Sequence, residues 1–260
     1  MSKALTGLMG LVSRLRRPGG CPWDACQTDS TIKMYLMEEA YEVMDAIDKG
    51  DPQEICQELG DLIFQIIFLA EMADERGEFN LKDVFEKITD KMISRHPHVF
   101  GNVKIENAED VANNWEKIKR NEKGTEEKIS SMLENVPINL PALLRSHRLS
   151  QRAAKVGFDW AGKKEIFEKV IEEIHELEES IEESNKEQVG EELGDLFFAL
   201  ANLARHWGFN AEDLLRDANR KFLRRFEEME ADLASNGIRI HDATVEEMNR
   251  SWDKIKTIED

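Results

Sequence analysis

The feature that most constrains this chain is an acidic helical hairpin. Glu173 and Glu176 stand three residues apart on one predicted helix, and Glu192 and Asp195 have the same spacing on the next, after a polar turn at residues 184–186. Residues three apart share a helix face, so an antiparallel hairpin sets the two acidic pairs opposite each other. Four facing carboxylates with no basic residue among them repel one another. We therefore predict that a divalent cation binds between them.

The hairpin occurs twice. The same acidic pattern stands 134 positions earlier, at Glu39, Glu42, Glu58 and Asp61. Other features recur at a similar distance, such as Trp23 with Trp160 and the Lys-x-x-x-Arg pairs that start at Lys91 and Lys221. Repetition over this length indicates a tandem duplication. We predict a first helical domain at residues 1–120, a charged linker at 121–131 and a second helical domain at 132–260.

The periodicity predicts an all-α fold with about five helices in each repeat. In the first repeat the predicted helices are 4–16, 31–48, 53–75, 81–95 and 108–120. The segments 62–70 and 196–203 are apolar on nearly every side, which is typical of helices buried in a bundle or at a dimer interface. No strand-like alternation of any length occurs in the sequence.

The charge balance narrows the class of partner. The formal net charge is −18 over 260 residues, so we expect neither duplex nucleic acid nor an anionic membrane as a main partner. The three cysteines form no CxxC pair and predict reduced thiols rather than a disulfide framework. No segment approaches the length of apolar sequence that a membrane span needs. These observations predict a soluble, cytoplasmic protein.

Oxygen ligands indicate which metal the hairpins bind. Carboxylates favour Mg²⁺, with Mn²⁺ as a substitute, over zinc. The rival is a di-iron helical bundle, which uses Glu-x-x-His on two helices. Glu172-x-x-His175 matches that pattern once, but Tyr41 stands where the first copy would need its histidine. We favour magnesium.

A magnesium cluster that leaves coordination positions open commonly holds phosphate oxygens, which also attract Lys and Arg. Lys221, Arg224 and Arg225 lie on one later helix, and Lys169 precedes Glu173 by one turn. All four are candidate substrate ligands, although a solvated basic stripe explains the first three equally well. Glu172, like Glu38 in the first copy, is a candidate general acid or base. Trp160, Trp252 and Phe222 could pack against a base or be ordinary core residues.

Longer motifs carry a family resemblance. They include CPWD at residues 21–24, YLMEEAYEV at 35–43, ELGDLIFQIIF at 58–68, RHPHVFG at 95–101, NWEKIK at 114–119, VGFDW at 156–160, NRKFLRRF at 219–226 and SWDKIK at 251–256. Over nearly its whole length the chain resembles MazG-type nucleoside triphosphate pyrophosphohydrolases. One departure is Asp29, where the motif that follows CPWD is expected to carry histidine.

The resemblance implies an all-α homodimer that hydrolyses nucleoside triphosphates to monophosphates and pyrophosphate, in the service of nucleotide-pool house-cleaning. It implies Mg²⁺ bound by the eight hairpin carboxylates, phosphate contacts from Lys221 and Arg225, and Trp252 near the nucleotide. The catalytic set is then Glu172, Glu173, Glu176, Glu192 and Asp195. We expect the second domain to be the main site, because Pro97 ends the helix directly after the basic pair of the first.

Two other classes of function stay open. The hairpins could bind metal and nucleotide in a regulatory module without turnover. The repeats could also form a purely structural helical scaffold.

Overall fold

The computed structural model describes residues 2–103, 107, 110, 111, 114, 115, 118, 133 and 136–259. Within these residues all regular structure is helical, so the all-α prediction is confirmed. The chain divides into two compact units, residues 1–127 and residues 128–260. The predicted linker at 121–131 lies outside the described residues. So does most of the helix predicted at 108–120, whose positions 110, 111, 114, 115 and 118 are helical.

The first unit is built around a hairpin of two long helices. Its helices are α1 Ser2–Arg16, α2 Pro22–Ala25, α3 Asp29–Lys49, α4 Pro52–Glu75, α5 Leu81–Arg95 and α6 Pro97–Phe100. Gly50 ends α3 in the left-handed conformation (φ 72°), which glycine adopts without a Cβ clash. Asp51 then accepts a hydrogen bond from the Gln53 N–H and begins α4. The arms α3 and α4 pack along each other.

The second unit repeats this hairpin. Its helices are α7 Ala142–Ala154, α8 Lys163–Glu182, α9 Lys186–His206, α10 Ala211–Ser235 and α11 Val245–Glu259, with a 3₁₀ turn at Ile240–Asp242. The turn between the arms α8 and α9 places Ser184 at φ 56°, and the Asn185 side chain accepts from the Gln188 N–H to begin α9. Helix α10 packs on α7, α9 and α11.

Each hairpin buries only part of its apolar surface within its own unit. In the first unit Ile67 and Phe68 of α4 join the core that includes Val12 and Ile32. In the second unit Ala199 and Ala201 of α9 are buried. Another face of each arm is open: Phe197 keeps 57% of its surface exposed, and Leu200, Ile63 and Ile66 are exposed as well. The two segments that are apolar on nearly every side therefore have one face without cover from their own unit.

No helix among the described residues is both long enough and apolar enough to cross a membrane.

Candidate functional site

The second hairpin brings three carboxylates to one point. Glu173 and Glu176 come from α8 and Glu192 comes from α9, and one oxygen of each lies within 4.8 Å of the others. Glu173 is only 4% exposed, whereas Glu176 reaches solvent. The burial of Glu173 follows from the packing of the two arms, because α8 and α9 run along each other. The structure thus assembles three of the four predicted ligands.

Asp195, the fourth predicted ligand, is exposed on α9 and does not belong to the three-carboxylate group. It stands one turn beyond Glu192 on the same helix, so its side chain starts close to the group. Whether it completes a metal site stays a prediction.

A lysine lies inside the second cluster, and the expectation of an acidic group with no basic residue is wrong there. The Lys169 Nζ lies 2.7 Å from Glu172 Oε1 and 2.8 Å from Glu173 Oε1. The hydrogen bonds to Glu172 and then to Glu173 raise the pKa of Lys169. Lysine therefore neutralises part of the acidic charge before any metal or substrate arrives.

Within the part of the chain that the structure describes, no lysine forms an ion pair with the three grouped carboxylates of the first hairpin. Oxygens of Glu39, Glu58 and Asp61 lie within 4.8 Å of one another, and the charge of Glu42 is close enough to Glu58 to raise its pKa. From the other arm, the Gln65 Nε2 donates a hydrogen bond of 3.3 Å to Glu39 Oε1. The structure thus groups three of the four predicted ligands of the first copy, with Glu42 near Glu58, and it adds a glutamine that the motif analysis did not single out. In the sequence this glutamine is the single polar residue of the apolar run LIFQIIF, and that position is the signal that could have identified it.

The electrostatics of both clusters fit a bound cation. Burial raises the pKa of Glu58, and repulsion from Glu42 and Asp61 adds to the effect. Glu39 also has a raised pKa, again through burial first. In the second cluster burial raises the pKa of Glu176, and the positive charge of Lys169 partly offsets that rise. A carboxylate group that is unfavourable when ionised, and that offers only oxygen donors, suits a hard divalent ion.

The predicted basic ligands lie on α10. Lys221 and Arg224 are exposed and Arg225 is half-buried. Among the described residues α10 packs on the second acidic arm, α9, and not on the first, α8. The structure therefore does not join these residues directly to Glu173 and Glu176.

The tryptophans take different positions. Trp252 packs against Phe222, with ring centroids 5.5 Å apart, and against the core cluster around Met229 and Leu233. Trp252 is thus half-buried against core residues of this unit, and its contact with a nucleotide stays a prediction. In the first unit Trp115 lies against His96, at 4.9 Å between centroids, and beneath the Arg95 guanidinium.

Glu172, the candidate acid or base, is exposed and paired with Lys169. It lines a solvent-open groove of about 570 Å³ on α8, together with Phe167, Ile171, His175 and Glu176. His175 is exposed, as expected for a surface position rather than a di-iron ligand.

Comparisons with known proteins agree with the motifs. The family model of the MazG nucleotide pyrophosphohydrolase domain matches twice, at residues 27–100 and 162–229, so that it spans both hairpins. A nucleoside triphosphate pyrophosphohydrolase from Escherichia coli (strain K12) is 43% identical over 252 residues, which cover 96% of this chain and 95% of the relative. The nucleoside triphosphate pyrophosphohydrolase/pyrophosphatase MazG of Thermotoga maritima is 38% identical over 249 residues, 96% of this chain and 94% of its own.

One solved structure is also similar to part of the chain. The crystal structure of a mazG-related protein from Thermotoga maritima is 28% identical, and the match covers 44% of this chain and 98% of that one with a TM-score of 0.39.

Proposed function

This chain belongs to the MazG nucleotide pyrophosphohydrolase family, and on that premise we propose that it hydrolyses nucleoside triphosphates to nucleoside monophosphates and pyrophosphate. The observation that carries the proposal is the carboxylate cluster that each family-matched hairpin builds from its two arms. Pyrophosphate release needs a site that tolerates a highly anionic substrate inside an acidic protein. A carboxylate-bound cation meets that need.

We propose Mg²⁺ as the cofactor. Glu173, Glu176 and Glu192 would hold it in the second unit, with Asp195 as a fourth ligand, and the first-unit set is Glu39, Glu42, Glu58 and Asp61. When bound there, Mg²⁺ supplies charge neutralisation for the phosphates and makes a coordinated water more acidic. The all-oxygen donor set favours this ion over zinc.

The chain's own residues have distinct roles in this proposal. Lys169 pairs with Glu172 and Glu173 in the structure. With Glu173 serving as a metal ligand, the Lys169 ammonium would be available to contact a phosphate oxygen, and Glu172, released from Lys169, would be available to accept a proton from the attacking water. The Lys169 side chain would then move from its contact with Glu173 to a contact with the substrate.

The helix α10 supplies the remaining proposed contacts. Lys221 and Arg224 are exposed and can reach an anion in solution. Arg225 sits one turn after Lys221 on the same helix face. Trp252, which packs on Phe222 beside this stretch, would border the nucleotide. We propose the second unit, at residues 132–260 in the predicted division, as the main catalytic domain.

We also propose that the protein is a homodimer. The open apolar faces of α4 and α9, with Ile63, Ile66, Phe197 and Leu200 exposed, are suited to packing against a second copy. Sedimentation at micromolar concentration should give twice the mass of the chain, and Phe197→Asp should shift the population toward the monomer. A wild-type protein that sediments as a monomer would refute this assembly.

The test of the reaction is the identity of its products. With Mg²⁺, each nucleoside triphosphate consumed should yield one monophosphate and one pyrophosphate, and chelator should stop the reaction. Glu192→Gln should abolish turnover, whereas Glu178→Gln, at an exposed position on α8, should not. Formation of diphosphate and inorganic phosphate would contradict the proposal. Nucleotide binding without any product would point to a regulatory module instead.

A further inference from the structure

A buried glutamine stands between the carboxylates of the first hairpin and the core of its unit. Gln65 follows Asp61 by one turn of α4 and precedes Phe68 by three residues, so the three share one helix face. Phe68 belongs to the apolar core, and Gln65 is itself only 9% exposed. The packing around a side chain at this depth restricts its movement.

The amide of Gln65 orients one of the carboxylates. Its Nε2 donates to Glu39 Oε1 at 3.3 Å, from one arm of the hairpin to the other. A carboxylate offers about four acceptor positions on its two oxygens, so this bond fixes Glu39 and leaves most of its capacity for a cation. Carboxylates that bind metal ions are commonly held by such hydrogen bonds. The donor is neutral, so it does not compete with a cation for the site.

The second hairpin lacks this amide and has a cation instead. Ala199 occupies the position of Gln65 and has no hydrogen-bonding group in its side chain. The Lys169 Nζ lies 2.8 Å from Glu173 Oε1 and 2.7 Å from Glu172 Oε1. A metal ion that binds Glu173 must therefore replace an ammonium that makes two charge-assisted contacts.

A bound nucleotide changes the comparison between the clusters. In its absence, the first cluster has an oriented ligand and no ammonium to displace, which lowers the cost of binding an ion there. When a nucleotide binds at the second cluster, as in the proposed function, its phosphates offer the Lys169 ammonium a new partner. That contact compensates for the loss of the contact with Glu173. The two clusters therefore differ in the stage at which they bind an ion.

We propose that the first cluster is the tighter divalent-cation site of the nucleotide-free protein and that Gln65 positions Glu39 for it, whereas the second cluster takes its ion together with the nucleotide. The first unit thus holds a resident ion, and the second exchanges its ion with each substrate. The choice of Mg²⁺ or Mn²⁺ as the ion rests on the proposed function.

A titration with Mn²⁺ alone tests the order of filling. Electron paramagnetic resonance measures the free ion while the full chain is titrated without nucleotide. One site per chain should be at least about tenfold tighter than the next, because an ion at the second cluster costs charge-assisted hydrogen bonds. Glu39→Gln/Glu58→Gln should abolish the tight site, and Glu173→Gln/Glu192→Gln should retain it. Two sites of equal affinity, no tight site, or a tight site that only the second-unit variant loses would overturn the proposal.

Variants of the glutamine test its positioning role. Gln65→Met has similar length without the donor, and it should weaken the tight site about 10–100-fold, as removal of a hydrogen-bond partner of a metal ligand does. Phe68→Leu, which disturbs packing on the same face of α4, should leave that affinity unchanged, as should Gln53→Met at an exposed position. If Gln65→Met does not fold, Gln65→Ala replaces it, since the second hairpin has Ala199 there. Equal affinity in the glutamine variant and the wild type, or equal losses in it and Phe68→Leu, contradicts the role of Gln65.

The binding measurement uses no nucleotide, and pyrophosphate release is assayed separately. Tight Mn²⁺ binding by the first unit without any pyrophosphate product would refute the proposed function alone. Pyrophosphate release by a chain that has no tight site in its first unit would refute this inference alone.

Discussion

The two acidic clusters have the same ligand spacing but are neutralised in different ways. At the position of Lys169 in the second hairpin, the first has Tyr35, which packs on Trp23. At the position of Gln65 in the first hairpin, the second has Ala199. Glu173, which is buried, thus receives an ammonium, and Glu39, which is half-buried, receives a neutral amide.

This difference determines what a metal ion must displace. In the first unit burial raises the pKa values of Glu39 and Glu58 and neighbouring carboxylates add to the effect, so a metal ion bound there would relieve repulsion without displacing a side-chain cation. In the second unit a metal ion bound to Glu173 would displace the Lys169 ammonium from that carboxylate. Only the second exchange would leave a side-chain cation beside the metal ion, where the phosphates of a substrate would bind. The contrast is a physical reason to expect the main catalytic site in the second unit.

The cores of the hairpins differ at one matched position as well. Phe68 on α4 is 2% exposed and lies under the Arg16 guanidinium, at 5.1 Å from its ring centroid. The corresponding residue on α9 is Asn202, whose Oδ1 accepts from Arg205 Nε at 2.7 Å. Arg205 also pairs with Asp159, the residue before Trp160. Arginine packs on an apolar core in one unit and joins a polar network in the other.

The largest expected effect is on stability, and it differs between these two cores. Phe68→Ala should lower the free energy of unfolding of the first unit by about 3–5 kcal/mol, because it leaves a cavity in a closed core. Asn202→Ala should cost the second unit about 1–3 kcal/mol, the loss of a buried polar partner. Calorimetry that resolves the two units measures both. A larger loss for Asn202→Ala would contradict the assignment of these two roles.

A smaller effect, on substrate and metal binding, tests the role of Lys169. Lys169→Met should raise the KM for the metal–nucleotide substrate by about tenfold, roughly 1.4 kcal/mol, because a phosphate contact is lost. The same variant should bind metal alone more tightly, since the competing ammonium is gone. Lys164→Met, at an exposed position on the same helix, is the matched control and should change neither quantity. Weaker metal binding in Lys169→Met would show that the ammonium does not compete with the ion.

The smallest effect concerns pH and the first cluster. A carboxyl group whose pKa is raised by folding binds more protons in the native than in the unfolded state, so stability falls as pH rises from about 4.5 through the raised pKa. Without metal, this decrease should be smaller in Glu39→Gln/Glu58→Gln than in the wild type. Melting temperatures measured from pH 4.5 to 7 provide the comparison. Identical pH profiles would mean that protons do not neutralise this cluster.

Much of this architecture could be predicted from the sequence because it rests on local rules. The all-α class follows from periodicity, and the start of α4 follows from Asp51 as N-cap with Pro52 after it. The three-residue spacing placed Glu173 and Glu176 on one face, and the hairpin brought Glu192 to them. These inferences needed only helix geometry and a short turn.

The rest depended on contacts between distant parts of the chain. Gln65 reaches Glu39 from the opposite arm, a pairing that composition cannot reveal. Lys169 was expected to reach the substrate, but spacing alone could not decide whether its ammonium pairs with carboxylates first. The exposed side of α9 is another example, because the sequence of an apolar segment does not reveal whether the segment packs within its own unit or against a second copy.

The most direct test of the central claim compares the two clusters by their activity. Glu173→Gln/Glu192→Gln and Glu39→Gln/Glu58→Gln remove matched carboxylates from the second and first hairpins. With Mg²⁺ and saturating nucleoside triphosphate, the second-unit variant should lose at least about 100-fold in kcat for pyrophosphate release, equivalent to roughly 2.7 kcal/mol. The first-unit variant should stay within about threefold of the wild type, less than roughly 0.7 kcal/mol. The reverse order, or equal losses in both, would contradict the account.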